Sequence, residues 1–107
     1  MSDSARERVA HIVYFTLKDK SAEAVQKLLD ACQEFLTGHD GTDYFSVGTL
    51  VPDLEREVNM RDFEVGLHVV FASCAAHDAY QVSERHVQFI DQNRDNWEQV
   101  RVFDSYV

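Results

Sequence analysis

Nine residues near the start, Val9 to Leu17, are rich in β-branched and aromatic side chains, and they are apolar on both faces of a strand. Val9, His11, Val13, Phe15 and Leu17 fall on one side; Ala10, Ile12, Tyr14 and Thr16 fall on the other, because successive side chains of a strand alternate. A strand wetted on one face would alternate apolar with polar. This one predicts a sheet covered on both sides.

The chain has limited material for that cover. Its 107 residues, 45% hydrophobic and 27% charged, suit one compact domain and leave no room for a second. At this size the core is thin, so association with another copy is a reasonable way to bury more apolar area.

The remaining elements follow from periodicity and caps. Ser21 can cap a helix in which Val25, Leu28, Leu29, Cys32, Phe35 and Leu36 recur opposite Glu23, Lys27, Asp30 and Glu34, ending near Gly38. The GHDG turn (residues 38 to 41) leads to a strand from about Tyr44 to Val51, which Pro52 stops. A polar stretch, DLEREVNMR, separates it from a third strand, Phe63 to Phe71, with Phe63, Val65, Leu67, Val69 and Phe71 on one face and Glu64, Gly66, His68 and Val70 on the other. Ser73 starts a short helix to about Tyr80, Ser83 is placed to cap another to about Asn96, and Val100 to Tyr106 alternates again.

That order, β-α-β-β-α-β, predicts an α+β, ferredoxin-like split βαβ fold: a four-stranded antiparallel sheet with its helices on one face. Strand parity puts Ile12, Tyr14 and Phe103 on the bare face. A homodimer through the sheet faces, a dimeric α+β barrel, is the expected remedy, with His68 at the interface. Residues 1–8 lack periodicity and are expected to form a short flexible arm ahead of a domain spanning 9–107.

Nineteen acidic against ten basic residues give a charge of −9, which disfavours nucleic acid and anionic membranes as partners. The sequence shows no apolar run of membrane-spanning length and no secretion signal, so a cytoplasmic location is expected. Cys32 and Cys74 lack any CxxC spacing and are expected to be buried thiols. The five histidines, His11, His39, His68, His77 and His86, show no HExxH-like spacing, so no metal site is expected. No GxSxG, GxGxxG or P-loop pattern occurs, and no cofactor is implied.

The strings HIVYFTLKD, DFEVGLHVVFAS, AYQVSERHVQF and VRVFD, in this order and spacing, resemble the stress-responsive α/β-barrel (Dabb) family over Val9 to Tyr106. The family includes plant stress proteins and plant olivetolic acid cyclase, which closes a polyketide ring by aldol condensation without metal or organic cofactor. The resemblance implies a pocket between helices and sheet with His11, Tyr80 and His86 at the catalytic positions. Trp97 and the Phe103-Asp104 pair also match that enzyme in residue type. The pocket tyrosine of its first helix is replaced here by Cys32, and two further pocket positions are Gln81 and Ile90, departures that bear on substrate and reaction.

Proton abstraction next to a carbonyl needs a base whose pKa lies near neutrality and a neighbouring donor for the developing enolate oxygen. His86 and Tyr80 supply both types. Six residues apart on one continuous helix, they would point about 120° apart. Convergence therefore requires a break near Val82–Ser83, where the capping pattern also puts one. His11, on the helix-facing side of its strand, can orient the base or hydrogen-bond a carbonyl. In the competing structural reading these side chains tie down a helix junction.

Phe15, Leu28, Leu29, Cys32, Phe45, Leu67, Phe89 and Trp97 are expected around the helix–sheet space. They are core unless a cavity remains; if one does, its lining suits an aromatic, acyl or polyketide-like molecule. His39 and His77 are expected in solvent. Three functions stay open: a small-molecule binder or cofactor-independent enzyme, a non-enzymatic stress or assembly protein acting through its oligomeric surface, and a cofactor-free monooxygenase.

Overall fold

The structure, a computed structural model, describes residues 7–107; residues 1–6 of the expected arm lie outside the described residues. The elements are β1 (Val9–Leu17), α1 (Ala22–Phe35), β2 (Thr42–Thr49), β3 (Val65–Phe71), α2 (Cys74–Val82), α3 (Glu84–Asn93), a 3₁₀ turn (Arg94–Asn96) and β4 (Trp97–Tyr106). The strands form one antiparallel sheet in the order β2-β3-β1-β4, the ferredoxin-like arrangement. Among the described residues no helix is long and apolar enough to cross a membrane.

Three serines start the helices as their sequence positions predict. The side-chain oxygen of Ser21 accepts from the Ala24 amide at 3.2 Å, that of Ser73 from Ala76 at 3.1 Å, and that of Ser83 from His86 at 3.2 Å. Gly41, at φ +82°, closes the turn after α1, and a Cβ there would stand 2.5 Å from the Ala76 Cβ. Glycine thus lets the turn lie directly on α2.

Strand parity sorts the helix-facing side into the core. Val13, Phe15 and Leu17 of β1 meet Val65, Leu67, Val69 and Phe71 of β3, and Leu28, Cys32, Leu36, Tyr80 and Phe89 close over them. On the other side Ile12, Tyr14, His68 and Val70 are half-buried with no helix above them, and Phe103 is 57% exposed.

Phe63 departs from expectation. The third strand begins at Val65, two residues late, and the Phe63 ring packs on Tyr14 of the open face, with centroids 4.7 Å apart. Before Val65 the chain is held by the Glu64 amide donating to the Phe15 carbonyl and by the Glu64 carboxylate accepting from the Leu17 amide. The strand alternation does not extend beyond this anchor, and Phe63 covers the apolar surface within its reach. With Leu54, Val58, Met60 and Phe103 it walls a groove of about 380 Å³ on the open face.

Candidate functional site

The break between α2 and α3 positions the site. Ser83 is extended (φ −64°, ψ 150°), and both its amide and its hydroxyl donate to the Tyr80 carbonyl, at 3.2 and 2.8 Å. Its oxygen then caps α3. The helix axis restarts here, so Tyr80 and His86 no longer diverge: their ring centroids are 4.8 Å apart. His11 rises from β1 beneath them, its ring 6.0 Å from Tyr80.

Together the three border a cleft of about 170 Å³. Of the other side chains expected around a ligand, Phe15, Leu67, Phe89 and Trp97 line it, joined by Gln81 and Ile90. Leu28 and Cys32 lie in the core, and Leu29 and Phe45 are partly buried against it, so these four do not border the cleft.

His11 is 4% exposed and held at both ring nitrogens. Its Nδ1 lies 2.5 Å from the Asp104 carboxylate and its Nε2 3.4 Å from the Gln81 amide nitrogen. A proton on Nδ1 satisfies the carboxylate and leaves the Nε2 lone pair for the amide N–H, which fixes the tautomer. Burial, the largest influence, together with the nearby His77 leaves the His11 pKa below its ordinary value despite the raising effect of Asp104.

His86 is also held below its ordinary value, chiefly by burial and next by the neighbouring His11. Its Nδ1 is buried with no hydrogen-bond partner among the described residues. Burial drives the Tyr80 phenol pKa upward, so this group stays neutral and able to donate. The arrangement brings a neutral imidazole, a neutral phenol and a carboxylate-oriented imidazole to one apolar cleft, the combination that proton abstraction beside a carbonyl needs.

Three expectations need correction. His77 is half-buried, its ring 5.0 Å from that of His11, because it sits one turn before Tyr80 on the same face of α2. His39 is half-buried too: the turn after α1 folds it onto Tyr80, at 5.0 Å, with its Nε2 2.8 Å from the Phe35 carbonyl. Cys74 is exposed at the start of α2, with Sγ 3.4 Å from the Tyr106 hydroxyl. Cys32 is buried as expected, and desolvation pushes its thiol up to about 12. It is an inert core thiol.

Residue type alone marks Asp104 as a match to the family and does not tie it to His11. A signal was available: in this fold class the first and last strands are neighbours, and their register sets His11 directly opposite Asp104.

By sequence no curated protein matches the chain. Among solved structures, a Dabb family protein with a ferredoxin-like fold from Mesorhizobium loti superimposes with a TM-score of 0.77 at 24% identity, over 94% of this chain and 96% of that one. A hydroxynitrile lyase from Passiflora edulis gives 0.77 at 19% identity, over 95% and 94%. A dimeric ferredoxin-like protein of unknown function from Thermobifida fusca gives 0.80 at 12% identity, over 94% and 92%. At these identities the likeness is one of fold. The model of the stress responsive A/B barrel domain matches residues 9–107, and the chain belongs to that family, the Dabb family.

Proposed function

We propose that this protein binds a small aromatic or acyl carbonyl compound in the cleft and moves protons on it without a cofactor, in the manner of an aldol-type cyclase. The observation that carries the reading is the convergence of His86, Tyr80 and the His11–Asp104 pair on one apolar space. His86 takes the proton from the carbon next to a carbonyl, and Tyr80 donates a hydrogen bond to the enolate oxygen. The enolate carbon bonds to a second carbonyl carbon, and the resulting alkoxide is protonated from the imidazolium. His11, oriented by Asp104, holds a carbonyl oxygen or relays that proton.

At about 170 Å³ the cleft is smaller than the roughly 300–1,000 Å³ of drug-sized pockets, which favours a ligand of one ring or a short acyl unit. That a similar fold belongs to a hydroxynitrile lyase in Passiflora edulis supports an enzymatic use of this frame. The active form in this reading is a homodimer paired through the open sheet faces. The apolar row of Ile12, Tyr14 and Phe103 supports it, as does the dimeric state of the Thermobifida fusca neighbour.

Deuterium exchange at the central carbon of benzoylacetone, followed by NMR, tests the chemistry. The wild-type protein is expected to accelerate exchange, and His86→Ala to lose about 10²–10⁴-fold with an unchanged circular dichroism spectrum. Equal exchange by the folded variant would refute the role of His86.

A further inference from the structure

Neither His77 nor Asp104 borders the cleft; Asp104 opens instead onto a shallow groove that it shares with Cys74 and Tyr106. Yet one ligand atom each from His11, His77 and Asp104 lie within 4.8 Å of one another. The three come from β1, α2 and β4, brought together by the β1–β4 register and by the turn of α2 that carries His77 over the sheet.

We propose that His11, His77 and Asp104 form a binding site for a divalent transition cation of borderline softness, with Zn²⁺ as its representative. Two imidazoles and one carboxylate are the donor set such ions take, whereas Mg²⁺ and Ca²⁺ favour all-oxygen sites. Around an ion bonded at about 2.0–2.2 Å, tetrahedral ligand atoms stand about 3.4 Å apart. The 2.5 Å contact between His11 and Asp104 must widen by about 1 Å, and His77, within 4.8 Å of both, must come to the same spacing of about 3.4 Å. The cation takes the place of the proton shared by His11 and Asp104.

The surroundings favour this use. His77 Nδ1 lies 3.0 Å from the Asp78 carboxylate, which fixes the proton there and leaves Nε2 as the free donor atom. His11 has Gln81 at Nε2; with its amide turned, Gln81 accepts from an Nε2–H and frees Nδ1 for the ion. The site has a dry floor and a wet rim: the side chains of His11, His77 and Asp104 are 5%, 21% and 45% exposed. The remaining coordination positions fall to water on the exposed side, which is also the entry path. The Cys74 thiol, turned to the Tyr106 hydroxyl, lies outside the cluster. The inference is separate from the cleft chemistry but shares His11 and its carboxylate partner Asp104 with it, so the key variant is His77, which has no part in proton transfer.

Chelator-treated full-length protein is titrated with Zn²⁺ by calorimetry and with Co²⁺ by visible absorption. The wild type is expected to bind a single ion per chain, and His77→Ala and Asp104→Asn to weaken binding about tenfold or more. Cys74→Ser and His39→Ala are expected to bind as the wild type does. His77→Asn serves if the alanine variant loses its native dichroism. Failure of the wild type to bind either ion, wild-type affinity in both His77 variants, or loss of binding in Cys74→Ser alone would overturn the proposal.

Discussion

The two faces of the sheet are made by the same strands, and along β1 they are nearly equally apolar, yet the helices cover only one. On the helix side Val13, Phe15 and Leu17 are 5%, 2% and 1% exposed, while across the backbone Ile12 and Tyr14 are half-buried and Phe103 is 57% exposed. The cover also thins along the helix side itself. Over β4, Val100 and Val102 point toward the helices but remain 39% and 49% exposed. Complete cover gives core, partial cover gives the cleft with its histidines, and the face without helices keeps apolar side chains in solvent. The grading follows from geometry, since one layer of helices cannot shield both surfaces of a sheet or the whole width of one.

Substitutions on the two faces can break that contrast. Phe71→Ala, on the closed face, is expected to destabilise the protein by about 3–5 kcal/mol in denaturant unfolding, because a fully buried ring leaves a cavity behind. A loss under about 1 kcal/mol would mean that the helix layer collapses onto the gap. On the open face Phe103→Asp is expected to weaken self-association by about 2 kcal/mol or more, roughly thirtyfold, in sedimentation equilibrium, with the secondary structure intact. An unchanged association constant would remove the sheet-face dimer.

Smaller effects sharpen the picture of the cleft. Ser83→Ala deletes the cap of α3 and the hydroxyl bond to Tyr80, and is expected to lower stability by about 1 kcal/mol. It should also loosen the Tyr80–His86 approach, read as a larger fractional loss of exchange activity than of stability.

The least effect expected is on pH dependence. Burial holds His86 below its ordinary value of 6.5, helped by His11, His39 and His77 nearby, so the unfolded chain takes up this proton first. The stability from a neutral His86 is full above pH 6.5 and is lost as pH falls through the lowered folded value. Melting temperatures on the acid side should fall less steeply in His86→Gln. Identical slopes in both proteins would contradict the burial argument.

Much of this was legible in the chain. The apolar faces of β1, the serines before the helices and the interruption at Ser83 are local signals, set by a few neighbouring residues. The break at Ser83 even carried the condition that Tyr80 and His86 converge. Where the reading failed, it had extended a local rule past its range. Strand alternation carries Phe63 two residues beyond the strand that forms, and the residue types of His39, His77 and Cys74 say nothing of what folds over them.

The order of elements, the side of the sheet each strand residue faces, and the presence of two apolar sheet surfaces are all written in the chain. Those properties follow from backbone periodicities of about 2 and 3.6 residues, which act within a single segment. Long-range packing alone brings His11 to Asp104 across 93 positions, stands His77 beside both, and leaves the space above Phe15 open. Such contacts depend on strand register and on how far a helix layer reaches, quantities that emerge when all the segments pack at once.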